Sequence, residues 1–284
     1  MVAEAPPRGK DFRLEVLPGA QAEFIGSEAL HPAMISGRGA GKTVGSLIKM
    51  FLYAVGNPKS LGIMTSPTYR TLQDNLLPAW REKFNEVEGS LWRFKRADME
   101  IEFTNGSLVK LRPALEPDKL RGPNIAFFGM DEVAADGDQF PAFITLQRAL
   151  RQTGFKHQGW VTTTPQWRRP WIRSIWQDKR NPVTKEKLPE SDYVIFRPKL
   201  GENIFLPPTF HVDVARMAPS EREARQELYG DFVDIEGVGF PQFSERTHVR
   251  MPPDIPVKRK VIGVDFGGTA PTAVEEFWLL ENGE

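Results

Sequence analysis

The sequence predicts an α/β fold, a mainly parallel sheet flanked by helices, and three observations carry that prediction. A short apolar run, Ala33-Met34-Ile35, opens into a glycine-rich turn, Ser36-Gly37-Arg38-Gly39-Ala40-Gly41-Lys42-Thr43, and then into residues at helical spacing. A second apolar run, Ile125-Ala126-Phe127-Phe128-Gly129-Met130, delivers two adjacent acids, Asp131 and Glu132, at its end. Around these two stretches strand-like runs alternate with helix-like ones, as in a chain that crosses a sheet in one direction and returns by helices.

The turn has the composition of a phosphate-binding loop. Glycines let successive backbone N–H groups turn inward around phosphate oxygens. In such a loop a lysine at the place of Lys42 reaches the β- and γ-phosphates, and a hydroxyl at the place of Thr43 ligates Mg²⁺. Ser36 stands where the usual pattern has its first glycine. The flanks offset that mismatch. Val44, Leu47, Ile48, Phe51, Leu52 and Val55 recur at helical spacing until Gly56-Asn57-Pro58 stops the helix. Strand, loop, helix is the context that separates a phosphate loop from an ordinary glycine turn.

The acid pair is the second landmark. Ligands of parallel α/β sheets gather at the C-terminal strand ends. There Asp131 would hold the water shell of Mg²⁺, and Glu132 would polarise the water that attacks a γ-phosphate. Alone, an Asp-Glu pair often does no more than cap the next helix. With a phosphate loop upstream and one strand between the two, it has the order of P-loop ATPases with a catalytic glutamate, the ASCE division with a RecA-like sheet. ATP and Mg²⁺ are the cofactors this predicts.

Composition narrows the class. At 284 residues, 40% hydrophobic and 26% charged, the chain reads as globular rather than disordered or membrane-embedded. It has no run of about 18 apolar residues, and residues 1–10 lack the apolar core of a signal peptide, so action inside a cell and no membrane partner are expected. Zero cysteines exclude disulfides, thiol catalysis and cysteine-ligated zinc, and the four histidines (His31, His157, His211, His248) have no metal-ligand spacing. A metal would be held by carboxylates and phosphates, which suits Mg²⁺. Lys+Arg and Asp+Glu balance at 37 each, so any nucleic-acid binding rests on a local patch.

Outside the two landmarks, the opening, to about Pro18, reads as a loose arm. An apolar-patterned helix starts at 17–25, and its Gln21 has an amide able to pair with an adenine edge, although a surface helix residue is the plainer reading. Leu61-Gly62-Ile63-Met64-Thr65 reads as a buried strand ended by Ser66-Pro67-Thr68-Tyr69, and Leu72, Leu76, Leu77, Trp80 and Phe84 share a helix face. Met99, Ile101 and Phe103 alternate with polar residues before Asn105-Gly106, a hairpin signal, with Val109 and Leu111 on the far side. A loop marked by Pro113 and Pro117 comes next and leads to Arg121-Gly122.

Helix signals recur at Phe143, Ile144, Gln147 and Leu150. Gly159-Trp160-Val161-Thr162-Thr163-Thr164 then reads as a strand ending in hydroxyls, which either sense a γ-phosphate or reflect the β-propensity of threonine. The stretch 167–176 interleaves arginines with tryptophans, a composition that binds nucleic acid in some proteins. Packing of Trp171, Ile175 and Trp176 on the sheet is the preferred reading, and the arginines stay open. Tyr193-Val194-Ile195-Phe196 suggests a fifth strand, and 203–227 a charged helical subdomain packed over the nucleotide. Near the end, Val261-Ile262-Gly263-Val264-Asp265 reads as a buried strand offering one acid, either an edge strand with a turn aspartate or the start of an RNase H-like nuclease.

The ensemble resembles the large terminase subunit of tailed bacteriophages, over about 17–273. The resemblance rests on Gln21, the loop with its Arg38, Ser66-Pro67-Thr68-Tyr69, Asn105-Gly106-Ser107, Arg121-Gly122 before Asp131-Glu132, Thr162-Thr163-Thr164-Pro165, Tyr229-Gly230-Asp231-Phe232, Gly263-Val264-Asp265 and Pro271-Thr272-Ala273. It implies that Gln21 contacts adenine, that Arg38 contacts the γ-phosphate, and that Thr162, Thr163 and Thr164 couple hydrolysis to movement. It implies that Arg121 reaches a neighbouring subunit's ATP as an arginine finger. The partners it implies are double-stranded DNA, a portal protein and a small terminase subunit. The setting it implies is a ring of five subunits in the host cytoplasm, docked transiently on a procapsid.

The expected division is therefore an arm at 1–16, a P-loop ATPase core at 17–200, a lid and linker at 201–255, and the first strand of a nuclease domain at 256–284. Asp265 is expected to be a nuclease metal ligand in the complete protein and inert in this chain. The rival readings are a helicase-like or DNA-repair ATPase, whose further motifs are not found, and a nucleotide-gated assembly protein with negligible hydrolysis.

Overall fold

Period-two alternation along the central strands decides which side of the sheet each residue packs on. The computed structural model describes residues 12–166, 170–232, 254–265 and 273–281, in two compact units, Met1–Asp234 and Ile235–Glu284. In the first unit the strands are β1 (Ala33–Ile35), β2 (Leu61–Ser66), β3 (Trp92–Lys95), β4 (Glu100–Phe103), β5 (Leu108–Pro113), β6 (Phe127–Asp131), β7 (Gln158–Thr163) and β8 (Ile195–Phe196). They form one sheet in the order β3-β4-β5-β2-β6-β7-β1-β8. From β5 to β8 all neighbours are parallel, whereas β3–β4 and β4–β5 are antiparallel. The strand lying between the phosphate-loop strand β1 and the acid-bearing strand β6 is β7.

On one face Met34, Met64, Phe127 and Trp160 join a core with Phe51, Trp80, Phe84 and Trp92. On the other, Ala33, Ile35, Ile63, Phe128, Met130 and Val161 join Phe143, Trp171 and Trp176. Neighbouring residues thus go to opposite sides, as strand geometry requires. Phe127 stacks on Trp160 with planes 5° apart, and a Cβ at Gly129 would meet Met64 Sδ at 2.5 Å and Trp160 at 2.7 Å. Only a glycine lets these large side chains meet over β6.

The helices are α1 (Ala20–Gly26), α2 (Lys42–Gly56), α3 (Tyr69–Thr71), α4 (Leu77–Phe84), α5 (Phe140–Ala149), α6 (Pro170–Ile172), α7 (Phe210–Met217) and α8 (Glu221–Tyr229). A π-helical turn, Leu72–Leu76, joins α3 to α4, and another, Arg173–Gln177, comes after α6. The buried arc of α2 runs through Leu47, Ile48, Met50, Phe51 and Ala54. Leu52 and Val55, expected on the apolar face, are 45% and 38% exposed: Leu52 lies beyond Ile48 at the edge of the buried arc, and Val55 is in the last turn of the helix. Lys49 is buried on the same helix and donates to the carbonyls of Phe24, Ile25 and Ser27, closing the C-terminal end of α1. Burial pushes its ammonium down to about 7.

The Asn105-Gly106 hairpin forms, with a three-residue loop. Phe103 and Ser107 close it, Gly106 N–H donates to Phe103 O at 3.0 Å, and Gly106 takes the left-handed φ of 84°. Trp171, Ile175 and Trp176 are buried against the sheet as expected. Trp167, Arg168 and Arg169 lie outside the described residues, as do 233–253 and 266–272. Strand β3, at the sheet edge, is an element that the sequence did not reveal. In the second unit β9 (Val257–Asp265) pairs antiparallel with β10 (Ala273–Leu280), a second strand where one was expected. No helix among the described residues is long and apolar enough to cross a membrane.

His31, just before β1, is enclosed by Phe128, Phe143 and Tyr193 and bonds Gly159 O through Nδ1 at 3.1 Å. Burial lowers it from 6.5 to about 4. The folded state therefore favours neutral imidazole, and its stabilisation is complete above pH 6.5 and lost as pH falls toward 4. The loss amounts to about 3 kcal/mol from this group. Denaturant midpoints of wild type and His31→Asn, followed by tryptophan fluorescence, are expected to differ most at neutral pH and to converge toward pH 4.

Candidate active site

The phosphate loop leaves β1 at Ser36, whose N–H donates to Thr163 O at 3.2 Å, and enters α2 at Lys42. Its glycines serve two different needs. Gly39 and Gly41 have φ of 72° and 74°, which a side chain resists. Gly37 has no positive φ, but a Cβ there would overlap the backbone carbonyls of Glu227 and Leu228 on α8. Ser36 has no positive φ either, which is why a serine is accommodated where the pattern has glycine.

Lys42 is buried, and its Nζ donates to Gly37 O at 2.7 Å and to Thr164 Oγ1 at 2.9 Å, with Ser36 O at 3.4 Å. Thr43 Oγ1 donates to Asp131 Oδ2 at 2.9 Å, and Thr162 Oγ1 donates to Asp131 Oδ1 at 2.5 Å. Both oxygens of the buried carboxylate are thus held, one by α2 and one by β7. Thr163 Oγ1 accepts from Ala134 N–H at 3.0 Å, tying β7 to the loop after β6. The three threonines contact Asp131, that loop and Lys42 respectively.

Glu132 comes after Asp131 at a φ of 57°, an unusual conformation for a glutamate and of the kind found at functional sites. Gln139, which the sequence did not single out, braces it. The Gln139 side chain is fully buried and donates to Glu132 O at 3.1 Å and Ala135 O at 2.8 Å. Among the described residues the Glu132 carboxylate itself has no hydrogen-bond partner, leaving it available to a water or substrate.

Charge balance across the site is tight. Burial pushes the Lys42 ammonium down, opposed by Glu132, Asp131 and Glu227. Burial pushes Asp131 up, against the Thr162 and Thr43 hydrogen bonds and the charge of Lys42. Glu132 is also pushed up, by burial first and then by Asp131. No group of three or more His, Asp or Glu among the described residues could hold a metal alone. The hydroxyl and carboxylate of Thr43 and Asp131 form a hard oxygen pair that suits Mg²⁺, which keeps waters and phosphate oxygens as its other ligands.

Gln21 is buried rather than on the surface. Its Oε1 accepts from Leu17 N–H and its Nε2 donates to Gly41 O, each at 2.8 Å. The second amide hydrogen and second lone pair remain free to pair. Beside it lies a cavity of about 430 Å³ whose lining includes Gln21, Gly41, Val44, Ala79, Asn203 and Phe205. Segment 203–230 packs on the loop from above. Asn203 Nδ2 donates to Gly39 O at 2.6 Å, Leu206 and Phe210 crowd Gly39, and Arg38 pairs through both backbone and side chain with Glu227.

Of the predicted residues in the first unit, Arg121 makes none of these contacts. It comes directly after a 3₁₀ turn (Pro117–Leu120), is 73% exposed in its side chain, and pairs with the still more exposed Asp118 at 3.3 Å. Asp265 ends β9 opposite Ala273 in the second unit. Glu227, Asn203 and Gln139 were missed, since nothing local in their sequence marks a contact with residues so far along the chain.

The sequence matches the family described as terminase large subunit, T4likevirus-type, N-terminal, over residues 33–247. Among solved structures it is similar to the large terminase of a thermophilic bacteriophage in complex with ADP, at 18% identity and TM-score 0.63, covering 94% of this chain and 66% of that one. It is similar to the HK97 bacteriophage large terminase, at 16% identity and TM-score 0.57, covering 98% and 63%. It is also similar to the ATPase domain of the Thermus phage P74-26 large terminase, at 17% identity and TM-score 0.54, covering 75% and 93%. At these identities the likeness is one of fold, and the chain spans just under two thirds of the first two of these relatives. The search of curated protein sequences found no match.

The double hold on Asp131 has a measurable consequence. Thr162→Val keeps the shape of β7 but removes a buried donor from a carboxylate, and should lower stability by about 1–3 kcal/mol in denaturant titrations. Thr43→Val is expected to cost less, because Thr43 is only half-buried and water can replace its hydroxyl.

Proposed function

Because the chain belongs to the family of T4likevirus-type large terminase subunits, we propose that it is an ATP-hydrolysing motor that drives double-stranded DNA into a procapsid. The observation that carries this reading is the pairing of Thr43 with Asp131 beside an unbonded Glu132 carboxylate. A protein that merely bound nucleotide would have no need of a half-buried glutamate at positive φ, its carboxylate unbonded, next to its metal-binding acid.

In this proposal the backbone of residues 36–43 and Lys42 hold the phosphates, and Gln21 contacts the adenine edge with its remaining donor and acceptor. Thr43 and Asp131 hold Mg²⁺, which when bound neutralises charge on the phosphate oxygens. Glu132 accepts the proton of the attacking water. Arg38 meets the γ-phosphate. Thr162, Thr163 and Thr164, bonded to Asp131, the loop after β6 and Lys42, couple the state of that site to strand β7 and the segment beyond its end. Arg121 serves a neighbouring subunit, a role supported by its exposure and by its partner being another exposed side chain. The ring of five, the portal protein, the small terminase subunit and action at a procapsid in the host cytoplasm complete the proposal. So does Asp265 as a nuclease metal ligand in a longer protein.

The test is ATP hydrolysis per subunit as a function of protein concentration, with Glu132→Ala as the blank. The rate should climb with concentration and fall by roughly 10³-fold or more in Arg121→Ala. A concentration-independent rate that survives Arg121→Ala would remove the finger, and no rate above the blank would remove the hydrolysis reading.

A further inference from the structure

The phosphate loop already holds an anion, and it belongs to the protein. Glu227 lies in the last turn of α8, where helix carbonyls have no partner within the helix. Its carbonyl accepts the backbone N–H of Arg38 at 2.7 Å. Its carboxylate, 22% exposed, pairs with Nε of the same arginine. The approach is so close that neither Gly37, under the Glu227 and Leu228 carbonyls, nor Gly230, against the Ser36 backbone, has room for a Cβ. Arg197 fixes this end of the helix by donating to Gly230 O at 2.8 Å.

A helix C-terminus carries partial negative charge. A loop built to bind phosphate through N–H groups and a guanidinium therefore faces a carbonyl and a carboxylate that take the same donors. The ion pair is imperfect: the carboxylate oxygen against Arg38 is buried, yet the contact is not aligned as a hydrogen bond. The Arg38 side chain is itself 71% exposed, so it can leave. A better-placed anion would win it.

We propose that Glu227 is an internal competitor for Arg38, a positioning residue that holds the guanidinium on α8 until a nucleoside triphosphate takes it. This rests on the ATPase reading above and adds to it a lid residue linked to the γ-phosphate. Binding of a triphosphate and release of the α8 end are then the same event, whereas a diphosphate leaves Arg38 with Glu227.

Equilibrium binding of AMP-PNP and ADP to wild type, Glu227→Gln, Arg38→Ala and the double variant tests the proposal. Glu227→Asp, which keeps the charge but shortens its reach, serves as a second variant, with thermal unfolding of each as a folding control. Loss of the competitor should tighten AMP-PNP by on the order of tenfold, within the usual range of coupling between two binding events. ADP should change by less than about twofold on the same scale, and Glu227→Gln should do nothing in the Arg38→Ala background. A purely structural role would weaken both nucleotides alike. Equal effects on AMP-PNP and ADP, no tightening in either Glu227 variant, or a gain that persists without Arg38 would overturn the proposal. Wild type that binds neither nucleotide would overturn the ATPase reading together with it.

Discussion

Burying the carboxylate of Asp131 at the end of β6 would cost several kcal/mol if its oxygens met no donors. The fold supplies one donor from each side, Thr162 from β7 and Thr43 from the first turn of α2. This requirement explains much of the local architecture. It demands that β7 lie beside β6, that the loop after β1 end in a hydroxyl, and that Lys42 come close enough to oppose the rise in the carboxylate's affinity for protons. The site is thus a set of mutually dependent bonds across β1, β6 and β7, not a list of independent residues.

The same logic extends upward to 203–230. The phosphate loop meets that segment with a donor and an acceptor: Arg38 N–H donates to Glu227 O, Gly39 O accepts from Asn203 Nδ2, and the Leu228 carbonyl closes on Gly37. The glycine at 37 answers to that contact rather than to backbone conformation. The loop is therefore shaped on two sides at once, by the anion it is suited to bind and by the helix end that rests on it.

Much of this was legible in the sequence, and the reasons for the remainder are physical. Parallel strands buried on both faces read as apolar runs, so β2, β6 and β7 stood out. The loop and Asp131-Glu132 were marked by composition. Strand β3 is only four residues long, and Arg93 and Lys95 leave two apolar positions to detect. In β10 the adjacent Glu275 and Glu276 break the alternation. Gln21 read as a surface residue because one-dimensional patterns do not show that Leu17 N–H and Gly41 O lie on either side of its amide. Glu227 was invisible for the same reason: its partner, Arg38, stands near the opposite end of the first unit's sequence.

A division of labour underlies the proposed mechanism, with the loop after β1 binding nucleotide and the residue after β6 hydrolysing it. Single-turnover hydrolysis and equilibrium ATP affinity of Glu132→Gln measure the two halves separately. This isosteric change removes the base while leaving Thr43, Asp131 and Lys42 as they are. The expected result is affinity within a few-fold of wild type and hydrolysis slowed by roughly 10²–10⁴-fold, the usual contribution of a positioned general base. Hydrolysis at the wild-type rate would contradict the assignment of Glu132 and with it the reading of this strand end as the catalytic centre.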